Sequence, residues 1–496
     1  MRRNGVLMPI SALSSEYGIG CFSKEAYEFA DMLEQAGQSL WQILPLGPTG
    51  YGDSPYQSFS TFAGNPYFID LKQLIDKGLL RPDECEPVKT AADAPIDYQR
   101  LYETRFDLLR KAFERSGIRE KPEYLKFCRE QAEWLDDYAL FMAVKQFNNG
   151  RSWELWEDGI RFRRPESVSE YRLKLSGEIE YYRYLQHTFF EQWQKLKLYA
   201  NRKGIEIIGD IPIYVAPDSA DIWANPDLFQ LDAKGVPVAV AGCPPDSFSA
   251  TGQLWGNPLY DWPAHKAEHY RWWIRRIAHC FKLYDIVRID HFRGFDEYYS
   301  IPYGERTARH GSWCRGPGIE LFEVLKEALG PLKIIAEDLG FLTESVERLL
   351  ADSGYPGMKV LQFAFDSRED SDYLPHNYPR ECVVYTGTHD NDTLKGWYET
   401  IKEEDRNMAC LYMNRCPDDP GGMNWPLICL AMGSVADTCI IPVQDFLETG
   451  PEGRINTPST LGGNWEWRMK RDAFDEALIQ KIRVLTEVYG RRGEKL

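Results

Sequence analysis

The sequence of 496 residues has no paired-cysteine motif and no long apolar run. Its eleven cysteines are odd in number and scattered singly, which argues against a disulfide framework and predicts reduced, mostly buried thiols. No segment approaches the apolar length that crosses a membrane, and residues 1–5 lack the apolar stretch of a secretory signal. These absences predict a cytoplasmic protein with an ordinary hydrophobic core.

Motifs for nucleotides, metals and redox groups are missing as well. The sequence has no G-x-G-x-x-G or phosphate loop after a predicted strand, no H-E-x-x-H, no EF-hand loop and no Cys/His ligand set. We therefore expect no cofactor and no metal, although a group of aspartates could still bind Mg²⁺ or Ca²⁺. The net charge of −17 argues against nucleic acid or an anionic membrane as partner, so a neutral substrate is expected.

What the sequence does contain is a set of apolar strands that end in acids. The run 284–293 is apolar and β-branched until Arg288 and Asp290 near its end. An Arg-x-Asp pair alone more often ties two strands together than performs catalysis. The same design recurs, however, in three further runs, which end in Asp210, in Glu337 with Asp338, and in His389 with Asp390. Parallel sheets place their chemistry at the carboxyl ends of their strands, so four acids there indicate an active site.

The order of the elements predicts an α/β fold, a (β/α)8 TIM barrel with large, mostly helical insertions. A helix at 24–36 stops at Gly37 before a predicted strand at 40–46. Further strands are predicted at 65–71, at 360–365 ending in Asp366, and at 439–445. The rival, an open doubly wound sheet, is disfavoured because no strand is followed by a glycine-rich phosphate loop.

The pattern of predicted strands and helices suggests that the chain has two parts. Residues 1–71 and 204–496 are expected to form the catalytic barrel, with an active-site loop insertion at 211–263. The block 72–203 is expected to be a mainly helical insertion, because it contains long amphipathic helices. The predicted helices span 101–116, 130–147 and 177–202.

Acids without phosphate, metal or cofactor motifs suit glycosyl transfer. That reaction needs one carboxylate to attack or stabilise an oxocarbenium-like centre and a second carboxyl to protonate the departing oxygen. Arg288 lies two residues before Asp290 and so points to the same side of the strand, where it would keep a carboxylate ionised. Glu337, with a second acid beside it, is the natural group to stay protonated.

These residues resemble those of the amylomaltase-type 4-α-glucanotransferases, glycoside hydrolase family 77 of the α-amylase clan. The matching segments extend over almost the whole chain and lie at 47–56, 242–258, 287–294, 336–340, 388–393 and 463–468. The loop at 242–258 is the most specific of them to amylomaltases. The resemblance implies a (β/α)8 barrel without a C-terminal β-domain.

The resemblance also implies roles for individual residues. Asp290 would be the nucleophile, Glu337 the general acid/base and Asp390 the stabiliser of the transition state. The expected substrate-binding residues are Ser54, Tyr56, Asp210, Trp255, Arg288, His291 and His389. Asp210 is followed by Ile-Pro-Ile-Tyr-Val rather than by the Asn-His of typical amylases, which weakens the case for a calcium-dependent amylase.

The implied activity is transfer of α-1,4-glucan segments to the 4-OH of an acceptor through a covalent glycosyl-enzyme. Maltooligosaccharides and α-1,4-glucans would be the partners, and the sequence does not reveal the oligomeric state. A hydrolytic α-glucanase of the same clan is the alternative, and a non-catalytic glucan-binding protein is a weaker one. The loop 242–258, with Phe248 and Trp255, is expected to favour transfer by shielding the intermediate from water.

Overall fold

A computed structural model describes residues 2–50, 52–245, 249–340, 342–368, 371–416 and 422–493. Phe248 lies outside the described residues. Twelve strands occur in the described part: β1 Arg3–Leu7, β2 Leu40–Gln42, β3 Glu206–Pro212, β4 Ala239–Cys243, β5 Gln253–Pro258, β6 Ile286–Asp290, β7 Glu297–Pro302, β8 Ser312–Arg315, β9 Ile334–Ala336, β10 Gly357–Val360, β11 Cys382–Tyr385 and β12 Thr438–Pro442.

The α-helices of the same ranges are α1 Lys24–Gln35, α2 Leu71–Asp76, α3 Pro82–Cys85, α4 Tyr98–Ser116, α5 Pro122–Phe147, α6 Asp158–Arg161, α7 Pro165–Lys174, α8 Ser176–Arg202, α9 Ala220–Ala224, α10 Trp262–Ala267, α11 Arg271–Leu283, α12 Ile319–Leu329, α13 Glu344–Ser353, α14 Leu394–Thr400, α15 Glu403–Tyr412, α16 Asn424–Gly433, α17 Val443–Phe446 and α18 Glu476–Val488. None of these helices is both long and apolar enough to cross a membrane.

Eight strands form the predicted parallel barrel, in the order β10-β11-β12-β1-β2-β3-β6-β9. The N–H of Ala336 donates to the carbonyl of Pro356 at 3.0 Å and joins the two edges, β9 and the residue before β10. Alternate residues of all eight strands form one cluster inside the barrel, among them Leu7, Ile208 and Ile440. The intervening residues pack outward against the helices, as the two-residue period of a strand requires.

A second sheet, which the sequence did not suggest, follows the third barrel strand. It is antiparallel, in the order β5-β4-β7-β8, and takes two strands from the predicted loop insertion and two from the segment after β6. One face of this sheet has a small apolar cluster of its own, formed by Val240, Tyr299, Ile301 and Ala308. The sheet thus builds a wall above the barrel at the carboxyl end of β6.

Two predicted strands are shorter in the structure, since β2 ends at Gln42 and β12 at Pro442, two others are wrong or displaced, and one strand was missed. The strand at 65–71 is wrong: Pro66 begins a 3-10 turn capped by Asn65, and Asp70 caps α2 through the N–H groups of Lys72 and Gln73. The strand at 360–365 is displaced, since β10 ends at Val360 and a 3-10 turn follows. β1 was missed because it is only five residues long and begins with Arg3, Asn4 and Gly5.

The long helices of the block 72–203 are present, and α8 connects them with the barrel. Its Trp193 donates from Nε1 to the carbonyl of Leu283 at 3.0 Å, and Tyr199 donates to Asp31 on α1 at 2.7 Å. α8 therefore packs on the barrel between α1 and α11, while α4, α5 and α7 pack on its outer side. The division into domains at 72–203 stays a prediction.

Candidate active site

The inward-pointing residues of neighbouring strands meet at the carboxyl end of the barrel. In the register of β3 and β6, Ile208 pairs with Ile286, Asp210 with Arg288, and Pro212 with Asp290. Because Ile208 and Ile286 belong to the interior cluster, the residues two and four positions later also point into the barrel. The same period carries Glu337, two residues after Ile335 of β9, to the same end.

Arg288 is the charged centre of this end and contacts two acids. One guanidinium nitrogen donates to both carboxylate oxygens of Asp210, at 2.8 and 2.7 Å, and the other lies 3.0 Å from Asp290. Burial opposes the charge of Arg288, but Asp210 and then Asp290 outweigh it and raise its pKa, so it stays a cation. Burial raises the pKa of Asp290, and Arg288 opposes that rise. The side chain of Asp290 is 31% exposed and lies beside this fixed cation, which favours its ionised form.

Tyr56 and His389 form an aromatic wall next to this network. Tyr56 donates its hydroxyl to Asp210 at 2.9 Å, and its ring stacks on His389 with centroids 5.1 Å apart. Trp465, which sequence reasoning placed in a matching segment but not in the site, packs 6.0 Å from both rings. Ser54 accepts from the N–H of Tyr56 at 3.3 Å and so shapes the turn that presents Tyr56.

Glu337 is held by two backbone groups. The N–H of His291 donates to one carboxylate oxygen at 2.7 Å and that of Leu339 to the other at 2.9 Å. His291 reaches Glu337 because it adopts a left-handed conformation, φ +56°, directly after β6, which is uncommon for a residue with a side chain. Burial and the nearby charge of Asp290 raise the pKa of Glu337 to about 7, so this carboxyl is protonated up to neutral pH.

The raised pKa of Glu337 predicts a pH profile. We expect kcat/KM for maltotriose to fall about tenfold per pH unit above a pKa of about 7, because only the protonated carboxyl can donate. The measurement is initial rate against pH, repeated with α-maltosyl fluoride, whose leaving group needs little acid assistance and whose rate should stay nearly level. A maltotriose rate that already declines through about pH 4.5, the usual carboxyl range, would contradict the assignment.

His291 and Trp255 lie on the Glu337 side of the site. Their rings meet edge to face with centroids 4.8 Å apart, and Tyr214 packs behind Trp255 at 6.3 Å. Burial lowers the pKa of His291 to about 3, so the imidazole is neutral. Its Nε2 is buried and makes no hydrogen bond within the described part of the chain.

Asp390 lies beyond the end of β11, and a loop that the sequence analysis did not single out contacts it. The amide of Asn456 donates to one carboxylate oxygen of Asp390 at 2.6 Å, and Arg454 donates to the carbonyl of Asp390 at 2.8 Å. Both residues follow the last barrel strand, β12. That position was the only signal for them in the sequence, since loops after barrel strands carry binding residues.

The remaining acids at the strand ends have structural partners. Asp338 points away from the cavity and accepts from the N–H of Met358 at 2.6 Å, while Asp366 pairs with Arg368 at the surface. Asp392 accepts from the N–H of Thr393 at 2.8 Å. Within the described ranges, no group of three or more His, Cys, Asp or Glu residues is arranged to hold a metal ion.

Comparisons with known proteins all point to one family. The family model for 4-alpha-glucanotransferases matches residues 8–473. A 4-alpha-glucanotransferase of Clostridium butyricum is 50% identical over 487 residues, which cover 98% of this chain and 100% of the relative. One of Thermus thermophilus is 43% identical and covers 98% of each chain. The solved amylomaltase from Streptococcus agalactiae in complex with acarbose has a TM-score of 0.95 and 42% identity, with 99% of this chain and 100% of that chain covered.

The family match spans nearly the whole chain, and the relatives match over their full length. The strand-end acids that the sequence analysis singled out are also gathered at one end of the barrel. The chain therefore belongs to the 4-alpha-glucanotransferase family, glycoside hydrolase family 77.

Proposed function

We propose that the protein transfers α-1,4-glucan segments from a donor to the 4-OH of an acceptor glucan or glucose by a retaining double displacement. Asp290 attacks the anomeric carbon while Glu337 protonates the departing oxygen, and a covalent glycosyl-enzyme forms. Glu337 then removes the proton of the acceptor hydroxyl as that oxygen displaces Asp290. Asp390 stabilises the positive charge that develops on the sugar ring in both steps.

The observation that supports these roles best is the division of labour between two neighbouring carboxyls. Asp290 faces the guanidinium of Arg288 at 3.0 Å, whereas Glu337 has a pKa raised to about 7 by burial and by Asp290. The guanidinium thus favours the ionised form of Asp290, whereas burial and the Asp290 charge favour the protonated form of Glu337, as a nucleophile and a general acid require. For retention we expect their carboxyl groups to be about 5–5.5 Å apart in a crystal structure.

The residues around this pair divide into two sides. Tyr56 and His389 lie beside the nucleophile and would bind the donor ring that becomes covalently attached. Asp210 is fully buried and would contribute by holding Arg288 and the Tyr56 hydroxyl in place. His291 and Trp255 flank Glu337, which protonates the leaving sugar, so their side would bind the leaving and accepting sugars. Ser54 would contribute mainly by shaping the turn that carries Tyr56.

Incubation with maltotriose tests the proposed function. Transfer gives glucose and a ladder of longer maltooligosaccharides with little net gain in reducing ends. A steady gain in reducing ends without products longer than the substrate would instead show a hydrolytic α-glucanase, which uses the same carboxylates. Tight binding of maltooligosaccharides with no turnover would show a glucan-binding protein.

Replacement of Trp255 by Ala should shift the balance from transfer to hydrolysis. The indole packs against His291 and covers the Glu337 side of the site, so its loss would admit water and remove a surface for the acceptor ring. We expect the hydrolytic fraction of maltotriose turnover to rise about threefold to tenfold, since a lost aromatic contact is worth about 0.5–1.5 kcal/mol. The measurement is the ratio of reducing ends to transfer products.

A matched control for this variant is Leu254→Ala on the same strand. Leu254 is the adjacent residue of β5 and so points to the opposite face, where it is 39% exposed. Its product ratio should stay close to that of the wild type. An equal shift in both variants would indicate a general effect on the strand and not an acceptor surface at Trp255.

The partners and the location follow from the same proposal. Maltooligosaccharides and α-1,4-glucans are neutral polymers, in keeping with the net charge of −17, which argues against an anionic partner. The six buried cysteines, Cys21, Cys85, Cys280, Cys382, Cys410 and Cys439, are free thiols. Free buried thiols suit a reducing compartment, so a cytoplasmic location stays our proposal.

A further inference from the structure

The loop after β12 forms a closed set of hydrogen bonds with Asp390. The amide nitrogen of Asn456 donates to the Asp390 carboxylate at 2.6 Å. The guanidinium of Arg454 donates from Nε to the carbonyl of Asn456 at 2.8 Å and from Nη2 to the carbonyl of Asp390 at 2.8 Å. Arg454 thus fixes the two backbones relative to each other, and Asn456 fixes the carboxylate.

This loop is itself anchored on the donor side of the site. The N–H of Trp465 donates to the carbonyl of Ile455 at 2.7 Å, and the Trp465 ring packs on Tyr56 and His389. Ile455 is buried in the cluster that fills the barrel interior. The buried Ile455 and the bond from Arg454 to the carbonyl of Asn456 therefore hold the backbone of Asn456, which limits the positions open to its amide.

Hydrogen bonds to Asp445 also hold the segment that carries Asp390. Asp445, in the turn that follows β12, is buried and accepts from the hydroxyl of Thr386 at 2.6 Å and from the N–H of Leu394 at 2.8 Å. These contacts secure the backbone on both sides of Asp390. They leave its side chain undetermined, because neither reaches the carboxylate.

The carboxylate of Asp390 needs such a partner. Its side chain is 45% exposed and lies five residues beyond the last residue of β11, so no strand fixes its rotamer. The nitrogen of His389 is 3.4 Å away, which is too long for a strong hydrogen bond. The charge-assisted bond from Asn456 is much shorter and is therefore the contact that selects one orientation.

We propose that Asn456, set in place by Arg454, is a positioning residue that holds the Asp390 carboxylate in the orientation needed at the transition state. This inference rests on the proposed role of Asp390. Stabilisation of a developing charge depends on preorganised geometry, and a displacement of about 1 Å can cost about 10²-fold in rate. The ground-state complex depends on this carboxylate less, so the effect should fall on kcat.

Asn456→Leu tests the proposal, because leucine has a similar shape but no donor. We expect kcat on maltotriose to fall about 10- to 100-fold, with KM changed less than about twofold and thermal unfolding close to wild type. Asn456→His offers a donor from Nδ1 at nearly the position of the lost amide, and it should restore a large part of kcat. Thr460→Val is the control, since it removes two hydrogen bonds within the same loop, to the carbonyl of Thr457 and from the amide of Asn464, without touching Asp390.

The decisive measurement is a double-mutant cycle with Asp390→Asn. If Asn456 acts through the carboxylate, Asn456→Leu should cost little further rate in the Asp390→Asn background. Full additivity, an equal loss in Thr460→Val, or a change in KM alone would overturn the positioning role. An Asp390→Asn variant with wild-type kcat would instead overturn the proposed role of Asp390, so the two failures are distinguishable.

Discussion

Asp290→Asn should lower transfer from maltotriose by at least about 10⁴-fold, because an amide cannot form the covalent glycosyl-enzyme of a retaining route. The fold should survive the change. Arg288 keeps both of its contacts with Asp210, so no buried cation is left without a partner. Binding of maltotriose should therefore remain, and initial rates together with titration calorimetry measure the two effects.

The matched control is Asp210→Asn, which removes the other carboxylate that faces Arg288. Arg288 is 3% exposed and Asp210 fully buried, so this change breaks a buried ion pair and the bond from Tyr56. It should destabilise the fold by about 3–5 kcal/mol in addition to its effect on rate. If Asp290→Asn retained more than about a hundredth of the wild-type rate, Asp290 would not be the nucleophile.

Trapping the covalent intermediate tests the role of Asp290 as nucleophile independently. A 5-fluoro-α-glycosyl fluoride slows the second step, so the sugar should accumulate on the enzyme. Peptide mass spectrometry should find it on Asp290 in the wild type and find no adduct in Asp290→Asn. A covalent sugar adduct on Glu337 would mean that Glu337 is the nucleophile and Asp290 the general acid/base.

Most of the barrel strands were predictable because buried parallel strands appear in a sequence as short, continuous apolar runs. Runs such as 286–290 and 334–337 are apolar on both faces until they reach the acids, so the amino-acid pattern alone places their ends at the active site. Asp290 and Glu337 point inward together because two-residue periodicity relates each to a buried isoleucine on its own strand. This is a local property that a sequence displays directly.

The parts that escaped prediction depend on tertiary context. β1 carries Arg3, Asn4 and Gly5, and it becomes a strand because β2 and β12 pair with it on both sides. The segment 65–71 has strand-like composition, but the side chains of Asn65 and Asp70 bond to the backbone and turn it into helical caps. In both cases, contacts that sequence spacing cannot reveal override the local secondary-structure propensity.

Asn456 was not predicted for the same reason. It is 66 residues from Asp390 in sequence, and an Asn-Thr-Pro stretch is usual in any loop. Only the return of the chain after β12 across the mouth of the barrel brings the amide to the carboxylate. His291 shows the converse: it was expected in the site from the family resemblance, as a side chain that binds substrate, whereas its bond to Glu337 is made by its backbone N–H.

Glu337→Gln should separate the two chemical steps. With maltotriose we expect a loss of about 10²–10⁴-fold, because the leaving sugar then departs without a proton. With α-maltosyl fluoride the first step should proceed, since fluoride leaves with little acid assistance. The second step still needs a base to activate the acceptor, so the glycosyl-enzyme on Asp290 should accumulate and be visible by intact-protein mass spectrometry.

Azide then completes the test, because it is a nucleophile that needs no base. Added to Glu337→Gln with α-maltosyl fluoride, it should accelerate turnover and yield α-maltosyl azide, with the anomeric configuration retained by two successive inversions. Asp338→Asn is the control: Asp338 is the adjacent acid, but it bonds to the N–H of Met358 and should show no dependence on leaving group and no azide rescue. A β-azide product, or equal losses of Glu337→Gln on both donors, would mean that Glu337 does not supply the proton to the departing sugar.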